Sequence, residues 1–294
     1  MTAFDSKPRL GEDHLALLAR IDAALDRVER LTPMADERFL ETHEVYEGSS
    51  DQQSRIIEWF GASLPPPRAT PPPLSVLGVG SGSGVIDLEV ARHLAGRVDE
   101  IEYLGLDPNR VECDEFERRF GEAALPGVSA AVEATTFDSF ESEQPFDLIH
   151  FVQCLYYMPA PDRAVERARE MLAPEGSLVV FHAPRGELNE LAGRFYDKLY
   201  GRPTPFAADC AAALEREGLD YHRERLGAHV DVTSLVEGDA EAGLALRDFI
   251  LQIDSSELPD DLQELVERYL RAVVREREGR AVIPHPVDVF TIPG

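Results

Sequence analysis

The hydrophobic rhythm of this chain changes along its length. Over residues 12 to 31, "EDHLALLARIDAALDRVERL", the leucines, Ile21, Ala24, Leu25 and Val28 recur at helical spacing and predict an amphipathic helix. A second helix is predicted around residues 35 to 46. Ser50, with Gln53 three residues on, resembles a capping box that opens a third. The stretch "LPPPRATPPPL", residues 64 to 74, is too rich in proline for a helix and reads as a stiff linker.

After the linker, short apolar runs and amphipathic segments alternate. "LSVLGVG", "IEYLGLD", "VSAAVEA", "FDLIHFV" and "GSLVVFH" read as strands, separated by helices such as "VIDLEVARHLA", "RVECDEFERRFGEA" and "DRAVERAREML". That alternation predicts an α/β fold, a mainly parallel sheet with helices on both faces. Beyond Pro184 the pattern turns mostly helical, with helices near 186 to 200, 205 to 217, 239 to 253 and 259 to 277. A strand is expected near 229 to 235, and "HPVDVFTI" ends the chain as a final strand. The expected division is a helical cap over 1–64, a linker over 65–73 and an α/β core over 74–183. A mostly helical substrate portion follows over 184–285, and residues 286–294 return to the sheet.

Composition narrows the class. With 294 residues, 44% hydrophobic and 29% charged, the chain can bury a sizeable core. It has no apolar run long enough for a bilayer and no apolar N-terminal stretch, so a cytoplasmic protein away from membranes is expected. The formal charge of -26 argues against nucleic acid as a partner. It fits a GC-rich genome, high-salt adaptation, or steering of a cationic small molecule. Cys113, Cys154 and Cys210 lie far apart, suit a reduced compartment and show no zinc-like pairing, so no metal is expected.

The candidate chemistry starts in "VLGVGSGSGVIDL", where Gly80, Gly82 and Gly84 follow a strand and open a helix. Glycine there lets a ligand lie against bare backbone at the carboxyl end of a sheet, though a tight strand-to-helix turn recruits it too. The spacing is G-x-G-x-G, unlike the G-x-G-x-x-G dinucleotide fingerprint, which disfavours a nicotinamide dehydrogenase. Asp107 ends the next strand, where a carboxylate can accept both hydroxyls of a ribose or cap the following helix. Loop, acid and spacing resemble the Rossmann-like fold of class I methyltransferases dependent on S-adenosylmethionine, over roughly residues 74 to 183 and the final strand.

"FDLIHFVQCLYYMP", residues 146 to 159, falls on the fourth strand and the loop after it, at the lip of the expected cofactor crevice. Asp147, Leu148, Ile149 and His150, then Gln153, Leu155, Tyr156 and Tyr157, resemble a run of the histamine N-methyltransferase family. "GSGVIDL", "LALRDFILQ" and the position of "SSDQQ" agree with it. The resemblance implies that Gly80, Asp107, Glu112, Thr135 and Val152 line the S-adenosylmethionine site, with Gly82 and Gly84 in its loop. It implies that Gln153, Tyr156 and Tyr157 border a small-molecule substrate, with Phe39 and His43 on the N-terminal helices. Where the family holds its substrate with a glutamate and an asparagine, this chain has Gln52, with Asp51 beside it, and His285. The family's tryptophans after the fifth strand are missing, and an amide stands where the family's carboxylate pairs with an ammonium, so unless Asp51 takes over that role the substrate is expected to be zwitterionic or to carry its charge elsewhere.

Methyl transfer from a sulfonium is an in-line displacement, so catalysis is mostly positioning. Gln153 and Gln52 can orient a neutral imidazole or amine, and tyrosine faces favour a cationic donor or product. His285 is read either as the acceptor of the released proton or as an exposed loop residue between prolines. Cys154 reads as a small core residue and His150 as a satisfied core histidine. An N-methyltransferase of an imidazole or related amine is therefore expected. The rivals are an O-methyltransferase, which would need a base, and a non-catalytic sensor of S-adenosylmethionine.

Overall fold

The computed structural model describes residues 13–64, 73–238 and 240–294. The predicted linker, Pro73 apart, lies outside the described residues, as do residues 1–12 of the predicted N-terminal cap, among them Glu12, where the first helical pattern begins. The chain begins with α1 (His14–Leu25), α2 (Asp36–Ser49) and α3 (Gln52–Ser63). Then come β1 (Leu74–Val79), α4 (Val85–Ala95), β2 (Ile101–Leu106), α5 (Arg110–Ala123) and β3 (Val128–Glu133). β4 (Phe146–Val152), α6 (Pro161–Glu170) and β5 (Leu172–His182) complete the alternation read from sequence. After them lie α7 (Glu187–Tyr200), α8 (Ala207–Arg216), β6 (His222–Leu226) and β7 (His229–Asp231). The chain closes with α9 (Thr233–Glu237), α10 (Ala240–Leu251), α11 (Asp260–Val273), β8 (Arg275–Arg277), β9 (Arg280–Pro284) and β10 (Val287–Pro293).

These elements form two compact units. One takes Gln53–Pro184, Pro205–Leu226 and Val287–Gly294. Its sheet has the order β3-β2-β1-β4-β5-β10-β6. β1 pairs in parallel with β2 and β4, and β10 runs antiparallel to both β5 and β6. The order reverses between β1 and β4, the switch point outside which ligands of open α/β sheets bind. Helices cover both faces, so β1 and β4 are buried at nearly every position and read as continuous apolar runs. Phe60, Leu88, Phe116 and Phe181 pack in one core cluster, and Ile149, Phe151, Leu178 and Phe290 in another.

The other unit takes Met1–Gln52, Arg185–Thr204 and Gly227–Pro286. Its core gathers Leu17 and Ile21 of α1, Leu191 and Phe195 of α7, Leu246 of α10 and Val266 and Tyr269 of α11. A three-stranded sheet of order β7-β9-β8 lies within it.

Two expected element boundaries shift in the structure. The expected strand over 229 to 235 stops at Asp231, and α9 starts at Thr233. The helix expected to run to 277 ends at Val273 and gives way to the β8–β9 hairpin, whose turn residues Glu278 and Gly279 have φ of 53° and 78°. At the predicted start of the third helix, Ser50 Oγ accepts from the amide of Gln52 at 3.2 Å.

Candidate active site

The glycine loop joins β1 to α4 at the carboxyl end of the sheet. Gly80, Gly82 and Gly84 have φ of 68°, 51° and 76°, a region that side chains other than glycine enter at a cost. The amides of Gly80 and Ser81 both donate to the Leu106 carbonyl, at 2.8 and 3.0 Å, which ties the loop to the end of β2. Two of the glycines are demanded by the protein's own packing. A Cβ on Gly80 would stand 2.5 Å from the Cβ of Cys154, and one on Gly84 would stand 2.5 Å from the Phe116 ring. Gly82 differs, since a Cβ there meets nothing nearer than Glu112 Oε2 at 4.0 Å. Gly82 is therefore the open face of the loop.

Asp107, just past β2, holds this arrangement. Its Oδ2 accepts from the Gly82 amide at 3.0 Å and its Oδ1 from the Asn109 amide at 2.8 Å. Burial raises its pKa, and the two amides pull it back. Each oxygen keeps a further lone pair, so the carboxylate can still accept two hydroxyls. Glu112 is buried in the first turn of α5 and faces Gly82. The Glu133 carbonyl accepts from the amides of both Asp107 and Thr135, at 3.2 and 2.9 Å, which sets Thr135 beside the end of β2. The cofactor residues expected from sequence thus gather at the ends of β1, β2 and β3, with Val152 closing β4 next door.

At the end of β4 the chain turns sharply. Gln153 has φ 51°, uncommon for a residue with a side chain, and its amide donates to the Phe181 carbonyl at 3.0 Å. Cys154 is buried, its thiol donates to the Val79 carbonyl at 3.1 Å, and burial raises its pKa. It packs against Gly80 as a spacer. Leu155, Tyr156 and Tyr157 form a 3-10 turn that sets the two tyrosine rings 4.5 Å apart, edge to face. Tyr157 is 41% exposed. Tyr156 stacks on His182 at the end of β5, ring centroids 6.0 Å apart. Burial lowers the His182 pKa to about 4.

The second set of expected residues lies within the other unit, where Gln52 and His285 meet. Gln52 Nε2 donates to the His285 carbonyl at 2.8 Å and lies 3.3 Å from its Nδ1. Tyr46 approaches the same Nδ1 at 2.7 Å, and Asn189 Oδ1 faces Nε2 at 2.9 Å. Since Asn189 Oδ1 only accepts, the imidazole carries its proton on Nε2 and accepts at Nδ1. His285 is thus not the exposed loop residue that its flanking prolines suggested. Burial lowers its pKa to about 4, below the range assumed for a proton acceptor near neutral pH. Asp51 is engaged locally as well: its Oδ1 accepts from the His229 amide at 2.6 Å.

Phe39, His43 and Tyr46 share one face of α2. His43 and Tyr46 stack on Phe249 of α10 at 5.1 and 4.5 Å, and Phe39 lies 5.7 Å from the same ring. Sequence reasoning named Phe39 and His43 but missed Tyr46, Asn189 and Phe249. The spacing of 39, 43 and 46 was the available signal for Tyr46. Among the described residues, no three His, Cys, Asp or Glu side chains converge as a metal site would need.

Comparison with known proteins agrees with this geometry. A family model described as a methyltransferase domain matches residues 49–233. Histamine N-methyltransferase of Danio rerio is 25% identical over 278 residues, covering 87% of this chain and 95% of that protein. Histamine N-methyltransferase A of Xenopus laevis is 26% identical over 282 residues, covering 87% and 94%. Among solved structures, the YcgJ protein of Bacillus subtilis superposes with a TM-score of 0.56 at 13% identity, covering 82% of this chain and 98% of that one. That last likeness bears on the fold alone. No described helix is long and apolar enough to cross a membrane.

Proposed function

The chain belongs to the methyltransferase domain family, and from that premise we propose that it methylates a nitrogen of a small imidazole or related amine, with S-adenosylmethionine as donor. The residues at the sheet's carboxyl end fit an adenosyl group. Gly82 leaves an open backbone face toward Glu112, Asp107 keeps lone pairs for ribose hydroxyls, and Thr135 shares the Glu133 carbonyl with it. Bound there, S-adenosylmethionine supplies a methyl group activated by its sulfonium. Everything else falls to the chain's own residues.

The observation that carries the reading is Gln153, held in a left-handed conformation at the end of β4 beside the Cys154–Gly80 contact. A strained backbone at this point is worth its cost of roughly 1 to 3 kcal/mol where it aims an amide at a ligand. The Gln153 amide would orient the acceptor nitrogen, and Tyr156 and Tyr157 would wall off water. Within the other unit, the neutral amide Gln52, the His285 imidazole and the rings of Phe39, His43, Tyr46 and Phe249 form their own cluster of flat, uncharged surfaces, of a kind that suits a heteroaromatic ring. The histamine N-methyltransferases among the relatives support an amine or imidazole acceptor.

An O-methyl acceptor needs a base to strip its hydroxyl. The His285 pKa of about 4 and its bonds at both ring nitrogens disfavour that role. An imidazole or amine arrives with its lone pair available. The test is transfer of labelled methyl from S-adenosylmethionine to a panel of histamine, histidine derivatives and phenols, with the products identified. Label on a ring or amine nitrogen supports the reading, and label on phenol oxygen alone overturns it.

A further inference from the structure

Beneath the glycine loop lies a polar network that the methyl-transfer reading leaves unused. Asp87 in the first turn of α4, Tyr103 of β2 and His150 of β4 are each 2% exposed. Buried polar groups of this kind persist only when they satisfy one another. The Tyr103 hydroxyl lies 3.0 Å from Asp87 Oδ1 and 2.6 Å from His150 Nε2. Ser81, inside the loop, lies 3.1 Å from the same Asp87 Oδ1 and 3.0 Å from the Gly78 carbonyl. β1 is hollowed to admit the carboxylate: a Cβ on Gly78 would stand 2.1 Å from Asp87 Oδ1.

The proton directions follow from what is missing. His150 Nδ1 is buried with no hydrogen-bond partner. An unpaired acceptor is tolerated better than a buried orphan N–H, so the imidazole carries its proton on Nε2 and donates to the Tyr103 oxygen. The Tyr103 hydroxyl proton is then committed to Asp87, which also draws on Ser81. All donors point toward one carboxylate. Protonation of Asp87 reverses the chain, turns Tyr103 toward His150 Nε2, and leaves an orphan N–H at Nδ1. Ser81 then loses the charge that anchors it.

We propose that Asp87 is the positioning residue of the methyl-donor site: its ionised carboxylate holds Ser81, and through it the glycine loop, in the conformation that binds the cofactor. The inference rests on the donor-site reading above. The groups facing Asp87 are Ser81 of the loop, Tyr103 of β2 and His150 of β4, with the Asp107 charge beyond. Burial raises the Asp87 pKa to about 7, while Tyr103 and Ser81 lower it, and His150 stays neutral because burial lowers its own pKa to about 3. Ionisation of Asp87 therefore spans neutral pH. Cofactor affinity rises with it. Folding stability moves the opposite way: a carboxyl group with a raised folded pKa contributes stability fully present below its unfolded value and lost as pH climbs toward about 7.

The test is calorimetric titration of the full chain with S-adenosylmethionine from pH 6 to 8, beside denaturant unfolding, for wild type, Asp87→Asn and Tyr103→Phe. Wild-type affinity is expected to climb with pH. Asp87→Asn is expected to bind about tenfold more weakly at pH 8, the scale of one charge-assisted hydrogen bond, with no pH dependence and no loss of stability. Tyr103→Phe keeps the ring and removes one donor to the carboxylate, so its affinity midpoint is expected at higher pH. A binding wild type whose affinity profile Asp87→Asn reproduces overturns this inference alone. If Asp87→Asn does not fold, an unmoved midpoint in Tyr103→Phe overturns it. A folded wild type that binds no S-adenosylmethionine at any pH overturns the donor-site reading along with it.

Discussion

Gly80 and Cys154 stand so close that a Cβ on the glycine would lie 2.5 Å from the cysteine Cβ. The thiol in the run after β4 is therefore a spacer that fixes the glycine loop against the end of its neighbouring strand. Gly80→Ala adds this clash to a positive φ and is expected to destabilise the protein by about 2 to 4 kcal/mol. Cys154→Gly in the same chain is expected to recover part of that loss. A double-mutant cycle by urea unfolding measures the coupling, and additive losses would contradict the contact.

Asp107 bonds the amides of Gly82 and Asn109 at once. Asp107→Ala is expected to lower stability by about 1 to 2 kcal/mol and to abolish measurable binding of S-adenosylmethionine by calorimetry. Unchanged affinity would remove the ribose assignment.

Gln153 separates backbone strain from side-chain function. Gln153→Gly relieves the left-handed φ of 51° and is expected to leave stability unchanged or raise it by up to about 1 kcal/mol. Turnover is expected to fall at least tenfold in both Gln153→Gly and Gln153→Ala, with cofactor affinity nearly intact. Steady-state kinetics beside calorimetry reads both effects.

His285 predicts a pH signature of folding. Its pKa is lowered from 6.5 to about 4 by burial, so its contribution to stability is present above pH 6.5 and lost as pH falls toward 4. The loss is at most about 3 kcal/mol. Unfolding measured at several pH values is expected to show a shallower acid-side decline in His285→Gln than in wild type. Equal slopes would show that burial does not hold the imidazole neutral.

The sheet core was legible in the sequence because doubly covered parallel strands need apolar residues at almost every position, as in "LSVLGV" and "FDLIHFV". β6 was not legible. Its sequence "HRERL" is polar since it sits at the sheet edge, where Arg223 and Arg225 pair with the buried Asp288 of β10. The β8–β9 hairpin hid in a charged stretch that continued a helical pattern, and its cue was Gly279 in a two-residue turn with positive φ at both positions. At the site, glycine spacing and Asp107 were readable from the motif. The bonds of His285 to Tyr46 and Asn189 were not, because they join segments far apart in the chain. The same holds for Asp87, Tyr103 and His150, whose only local cue was an acid one turn into the helix after the loop.

The account is tested most directly by a crystal structure with S-adenosylhomocysteine bound. The expected result has the ribose hydroxyls on Asp107, the nucleoside against Gly82, and the sulfur directed at the Gln153 amide. A nucleoside bound elsewhere, or a sulfur turned away from Gln153, would contradict it.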